Sequence, residues 1–300
     1  NEHLKQTAQE CISIWTSLLN KCMELGNIPN EWRKSTVKLL YKGKGDTSNP
    51  NAYRGIALES TALKLLTGIL ARRLADKLEP LLPEEQFGFR RGRSTTTAVE
   101  NLLDQIKHTL GKPKGKLYVV FVDYSKAFDL VNRRVLIDKL EELTGRTSTT
   151  VLISNILAEN HIQIDDGVDR SDWLSQTNGV LQGDPLSPIL FNALTHDVTK
   201  GIAGANVYIY ADDMAIATTD VDKLQSAIDT LSNWAERNDI KINEEKTEMV
   251  VFRKGGRLTE AENVKCNGKS LKRVSNFKYL GITMQTTGKS FRLHIRSRTV

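Results

Sequence analysis

The sequence predicts an α+β fold, on three observations. Apolar residues recur every three or four positions over residues 8–25, 60–82 and 97–110, the period of a helix with one buried face. From Leu117 onward the pattern changes to short runs of Val, Ile, Tyr and Phe, the composition of strands. Two of those runs flank Ala211-Asp212-Asp213 so closely that they must form a tight hairpin with two acids at its tip.

Taken in order, Cys11, Ile12, Ile14, Trp15, Leu18, Leu19, Cys22 and Met23 line the first helix, which stops before Gly26 and Pro29. Val37 to Leu40 has strand character, and Lys42-Gly43-Lys44-Gly45-Asp46 with Asn49-Pro50-Asn51 makes a basic, glycine-rich turn. Leu63, Leu66, Leu70, Leu74, Leu78 and Leu81 describe a long helix closed by Pro83, and Thr97 to Leu110 a second one ended by Gly111 and Pro113. Leu117 to Val122 is continuously β-prone, a buried central strand that ends on Asp123. Helical spacing returns over 132–143 and 149–160; Val207–Tyr210 and Met214–Ala217 are the hairpin arms, and Val221, Leu224, Ile228, Leu231 and Trp234 mark the next helix. Short strands at Met249–Phe252 and Lys278–Met284 complete the set.

Composition excludes several classes. No apolar run approaches the roughly 18 residues of a membrane span, and Asn1-Glu2-His3-Leu4-Lys5 lacks the regions of a signal peptide, so a soluble protein without a membrane partner is expected. Cys11, Cys22 and Cys266 form no CxxC pair, which argues against a disulfide framework or a zinc site and for three small buried hydrophobes. Net charge is only +6, but from Arg253 to Arg298 twelve Lys and Arg face only Glu260 and Glu262, a density that suits contact with a polyanion.

Asp123 and the Asp212-Asp213 pair each end a strand of apolar residues. Carboxylates crowded at the edge of an apolar sheet repel one another unless a cation sits among them. Magnesium is the natural candidate, because it takes hard oxygen ligands and joins carboxylates to substrate phosphates.

Three blocks then carry a resemblance: Phe121-Val122-Asp123-Tyr124-Ser125-Lys126-Ala127-Phe128-Asp129, the run Gly179-Val180-Leu181-Gln182-Gly183-Asp184-Pro185-Leu186-Ser187-Pro188-Ile189-Leu190-Phe191-Asn192, and Tyr210-Ala211-Asp212-Asp213. In content, order and spacing they resemble successive core motifs of reverse transcriptases, most closely those of non-LTR (LINE-type) retrotransposons, with group II intron enzymes as relatives. Tyr53-Arg54-Gly55-Ile56, Gln86-Phe87-Gly88-Phe89-Arg90, Asn243 to Thr247 and Tyr279-Leu280-Gly281 extend the match over about residues 30–284.

The resemblance implies a right-hand polymerase core of helical fingers and a palm with a small antiparallel sheet, the thumb largely absent. Residues 1–115 would be fingers with an N-terminal extension, and 116–252 the palm with fingers elements interleaved around 130–180. Residues 253–300 would be the basic end of the palm with a primer-grip hairpin, truncated before the thumb. It further implies RNA-templated DNA synthesis from dNTPs on a DNA or RNA primer, with two Mg²⁺ ions, or Mn²⁺ in their place, and an intracellular, nuclear setting for a eukaryotic element.

Residue by residue, Asp123, Asp212 and Asp213 match the metal-binding acids, and Lys246 a lysine that protonates the leaving pyrophosphate. Lys42 and Arg54 match residues that grip the triphosphate, with Lys38 and Lys44 near enough to substitute for Lys42. Phe128 matches the steric gate against a 2′-hydroxyl, or is a plain core ring. Gln182 and Gly183 open a loop that approaches the nucleotide or template, Gln86, Phe89 and Arg90 follow the template, and Tyr279, Leu280 and Gly281 hold the primer end. Asp129 reads as the cap of the following helix, its side chain accepting from amides near Asn132. Two alternatives stay open: an RNA-dependent RNA polymerase that would use Asp129 to read a ribose hydroxyl, and a reverse-transcriptase fold serving as an RNA-binding or splicing cofactor.

Overall fold

A computed structural model describes residues 9–287. In chain order its main elements are α1 (Gln9–Leu25), β1 (Lys34–Tyr41), β2 (Tyr53–Leu58), α2 (Thr61–Leu78), α3 (Thr95–Gly111), β3 (Lys116–Val122), α4 (Arg133–Thr144), α5 (Ser148–Ala158), β4 (Asn160–Asp165), β5 (Leu174–Gln176), α6 (Ser187–Leu194), β6 (Asn206–Tyr210), β7 (Asp213–Thr218), α7 (Val221–Arg237), β8 (Glu248–Arg253), the short β9 (Lys265–Cys266), β10 (Lys269–Ser270) and β11 (Lys272–Arg273), then β12 (Asn276–Tyr279) and β13 (Ile282–Gln285). The mixed α+β class is as expected, and every helix and strand anticipated above has its counterpart. Lys278–Met284 is not one strand but the hairpin of β12 and β13, closed at Tyr279↔Ile282. Leu280 and Gly281 at its turn both hold positive φ, +45° and +84°, the conformation of a two-residue hairpin loop.

The chain divides into two compact units. In the first, residues 1–81 and 128–194, the sheet runs β2-β1-β4-β5. β1 is antiparallel to β2, with Arg54 opposite Leu40, and parallel to β4. α2 packs against α4 and α6 through the leucine face read from the sequence, with Leu63, Leu66, Leu70 and Leu78 essentially sealed from solvent. Ser60 caps α2 by accepting the Leu63 N–H at 3.1 Å, a contact worth about 1 kcal/mol to a helix.

The second unit, residues 82–127 and 195–300, is built on the sheet β11-β8-β3-β7-β6, with β3 central and antiparallel to both β7 and β8. Alternation of side chains sends Leu117, Val119 and Phe121 into a core shared with α3 and the β12–β13 hairpin. Phe121 stacks on Phe277 with ring centroids 4.3 Å apart. The opposite set, including Val120, Ile216 and Met249, is equally buried, on the side where α7 packs against β7. A strand buried on both faces is why 117–122 reads as an unbroken apolar run.

Among the described residues no helix is long and apolar enough to cross a membrane. Cys22 and Cys266 are buried as expected, but Cys11 is exposed, because α1 turns Leu19 and Cys22 inward and leaves the Cys11 side outward. Of the basic stretch, Lys289, Arg292, Arg296 and Arg298 lie outside the described residues; Lys254, Arg257, Lys265, Lys269, Lys272 and Lys278 are all exposed.

Candidate active site

The second unit gathers the acids. β3 stops at Val122, paired with Met214, so one more step of that register sets Asp123 across from Asp213, the first residue of β7. β6 and β7 close at Tyr210↔Asp213, which leaves Ala211 and Asp212 as a two-residue loop. Ala211 sits at φ +58° and Asp212 is outside the positive region, the pattern of a turn that normally takes glycine first. Burial, then the charge of Asp212, then that of Asp123 push the Asp213 carboxyl up to about 6. Asp213 keeps solvent access, which tempers the first cause and leaves like-charge crowding as the firmer one. The Tyr124 hydroxyl is pushed up by its burial, with the Asp212 charge adding to it.

Asp123 is held by its own backbone. Its N–H donates to Thr247 Oγ1 at 3.2 Å, and its carbonyl accepts from Asn243 N–H at 2.8 Å. Ser125 N–H donates to the Lys241 carbonyl at 2.8 Å, so the loop 241–247 is zipped along 123–125. That loop presents Lys246 with its side chain exposed. Thr247, almost wholly buried, is a support that residue type alone did not single out; its signal was membership of the block before β8.

Among the described residues no three His, Cys, Asp or Glu side chains converge so as to hold a metal ion unaided. The donor set therefore fits a hard cation that takes one or two carboxylates and completes its shell with water and phosphate oxygens, and does not fit an all-protein cage.

Of the residues expected along the template, Phe89 is exposed and holds φ +56°, with its ring 6.1 Å from Tyr210. Gln86 and Arg90 are buried, and Arg90 Nη1 donates to the carbonyls of Pro83 and Gln86 at 2.6 and 3.2 Å. Tyr279 is also buried, donating its hydroxyl to the Tyr208 carbonyl at 3.2 Å, while Gly281 at the turn beside it is exposed.

The remaining expected residues lie in the first unit. Lys42, just past β1, donates its Nζ to the Asn51 carbonyl at 2.8 Å; Arg54 projects exposed from β2. Lys38 is engaged with Asp165 at 2.7 Å, and Lys44 stays exposed. Phe128 is half-buried and stacks on the fully buried Phe191, with centroids 4.6 Å apart. The Gln182 side chain donates to Asp129 Oδ1 at 2.8 Å, and its carbonyl accepts from Ala57 N–H at 2.8 Å. Gly183 holds φ +115°, and a Cβ there would lie 3.1 Å from the Ala57 carbonyl oxygen. The expected cap at Asp129 is corrected: Asn132 caps α4, accepting from Arg134 and Val135 N–H, because the capping oxygen must stand one residue before the first helical turn.

Sequence reasoning also missed an acid pair in this unit. Burial and the neighbouring charge of Asp184 push Glu59 up to about 9, and burial raises Asp184 as well. Neither Glu59 oxygen finds a hydrogen-bond donor, as expected where two carboxyl groups face one another until one takes a proton. The folded protein thus holds a proton that the unfolded chain, with an ordinary glutamate, releases near pH 4.5; stability from this group is full below that pH and lost as pH rises toward about 9. Glu59→Gln, neutral throughout, should melt higher than the parent at pH 8–9, with the difference vanishing toward pH 4.5 in thermal melts. An equal or lower melting temperature at pH 9 contradicts the shared proton.

Comparison with known proteins follows the same lines. The reverse transcriptase (RNA-dependent DNA polymerase) family matches residues 41–284. The probable RNA-directed DNA polymerase from transposon BS of Drosophila melanogaster is 29% identical across 100% of this chain and 34% of its own length. The RNA-directed DNA polymerase from the Drosophila melanogaster mobile element jockey is 25% identical over 95% of this chain and 32% of its own. This chain therefore spans about a third of the length of the curated relatives it matches. A solved structure of apo telomerase from Candida tropicalis, truncated from its C-terminal domain, aligns with a TM-score of 0.60 over 92% of this chain and 59% of that one at 15% identity, a likeness of fold. The family match over residues 41–284, most of the chain, makes this protein a member of the reverse transcriptase (RNA-dependent DNA polymerase) family.

Proposed function

We propose that the chain copies RNA into DNA, adding dNTPs to a primer 3′-hydroxyl, and that in this fold the second unit is the palm and the first the fingers. The observation that carries this reading is the grouping of Asp123, Asp212 and Asp213 at adjoining strand ends, where burial and then the charges of Asp212 and Asp123 push the Asp213 carboxyl up to about 6. Asp123 and Asp212 would hold divalent metal, two Mg²⁺ or Mn²⁺ ions, with Asp213 beside them. A bound pair of such ions supplies a more acidic primer hydroxyl and neutralises charge on the departing pyrophosphate.

The chain's own side chains do the rest. Arg54, exposed and with no acid opposite it in the β1–β2 register, orients the triphosphate, and Lys42 adds charge at the same end of that hairpin. Phe128, propped by Phe191, excludes a 2′-hydroxyl. Gln182 and Gly183 bring backbone close to the nucleotide, Lys246 gives a proton to pyrophosphate, and Phe89 and the Leu280–Gly281 turn contact template and primer. The exposed lysines from Lys254 to Lys278 hold duplex phosphates in a sequence-blind, salt-sensitive way.

Primer extension on an RNA template is the test. With dNTPs and Mg²⁺ the primer should lengthen, chelation should stop it, and NTPs should be poor substrates. Preferred use of NTPs would instead favour an RNA-dependent RNA polymerase, and RNA binding with no synthesis at any metal concentration would favour a binding cofactor.

A further inference from the structure

Gln86 is 2% exposed, and its side chain points at the Asp212 hairpin. Its Oε1 accepts two backbone N–H groups, from Gly88 at 2.7 Å and from Ala211 at 3.0 Å. The segment is stitched along β6: Phe87 N–H donates to the Ile209 carbonyl at 2.7 Å, and Ile209 N–H to the Glu85 carbonyl at 2.9 Å. The approach is so close that a Cβ on Gly88 would lie 2.3 Å from the Ala211 nitrogen and 3.0 Å from the Tyr210 carbonyl carbon. Gly88 is needed for space, since its φ is not in the left-handed region.

This contact bears on a strained residue. Ala211 at φ +58° occupies a position that favours glycine, and such a conformation persists only where surrounding structure over-determines it. Ala211 is buried, so its N–H has no water to fall back on. One carbonyl oxygen therefore satisfies two amides and fixes the turn that carries Asp212 and begins Asp213.

We propose that Gln86 is a positioning residue for nucleotide addition: it acts through the Ala211 backbone to aim the hairpin aspartates, and does not touch the template. The assignment rests on the reading of Asp212 as a catalytic acid. The 86–90 block and the 210–213 block are then one device, with Gly88 and Gln86 shaped to the hairpin's backbone.

The test uses the 300-residue chain with Gln86→Met, which keeps the volume and removes the acceptor, and Gln86→Glu, which keeps an acceptor oxygen. With two buried amides left unpaired, Gln86→Met should lower kcat by about 10- to 100-fold while the KM for dNTP and the Kd for an RNA–DNA hybrid change by less than about threefold. Hydrogen exchange of the peptide spanning Ala211 should accelerate in Gln86→Met and stay near the parent rate in Gln86→Glu. Adding Ala211→Gly, which relaxes the positive φ, should restore part of the kcat lost by Gln86→Met. A proportional loss of hybrid affinity with Ala211 exchange unchanged would make Gln86 a template contact and overturn the proposal, as would loss of protection in Gln86→Glu. The exchange arm is independent of activity, so an Asp212→Asn enzyme that extends primers normally would defeat the catalytic reading, while the exchange rates at Ala211 decide the Gln86–Ala211 contact on their own.

Discussion

Asp212→Asn should abolish nucleotide addition while leaving the fold as stable as before, or slightly more so. Metal at such a site provides several kcal/mol of transition-state charge stabilisation, so losing a ligand's charge is expected to lower incorporation by about 10³-fold or more. Asp212 lies in a two-residue loop and is half-buried, and an amide matches the carboxylate in shape, so little packing is disturbed. Its charge is moreover the larger of the two that push Asp213 upward, after burial. Removing it relieves a like-charge repulsion, and the Asp213 carboxyl should fall toward the ordinary range. Stability stored against function is the expected signature of an active site. Primer extension beside metal-free thermal melts decides it. Normal extension, or a lowered melting temperature that accounts for the lost activity, would remove the carboxylate cluster from the chemistry.

Phe128→Ala should open the enzyme to ribonucleotides. A ring under the sugar discriminates by exclusion, and a steric difference of that size is worth about 10- to 200-fold. Phe128 is stacked on Phe191, which has no exposed surface, so the same substitution also strips a packing partner from the first unit. A half-buried ring costs less to truncate than the roughly 3–5 kcal/mol of a fully buried Phe, so a folded but less stable protein is expected. Phe128→Val separates the two effects, keeping more of the contact with Phe191 while still clearing space. Relative incorporation of dNTP and NTP by each variant is the measurement. Destabilisation with unchanged sugar discrimination would mean that the ring serves Phe191 alone.

Local patterns in the chain were legible where one face of an element is buried by neighbours near in sequence. The leucine ladder of α2, the apolar run of β3 and the Tyr210–Asp213 hairpin all declare themselves that way. Of the strands that were missed, β9, β10 and β11 are two residues each, too short to carry a period, and β2, β4 and β5 belong to a sheet whose pairing joins β1 to β4 in parallel, across more than a hundred residues. No period within Asn160–Asp165 announces a partner that distant. Asp129 was misread for a related reason: a helix start leaves several polar residues within reach, and only geometry tells which oxygen faces the free amides.

The same division runs through the site. Residue type and order by themselves determined the α+β class, the reverse-transcriptase resemblance and the acids at strand ends, because these depend on short-range periodicity and on chemistry that few residues can perform. Tertiary structure alone decided where side chains point: that Gln86 turns into the hairpin, that Glu59 meets Asp184, and that Asp123 is gripped by Asn243 and Thr247. Those are contacts between segments distant in sequence, and a side chain's direction follows from the backbone that happens to pack against it.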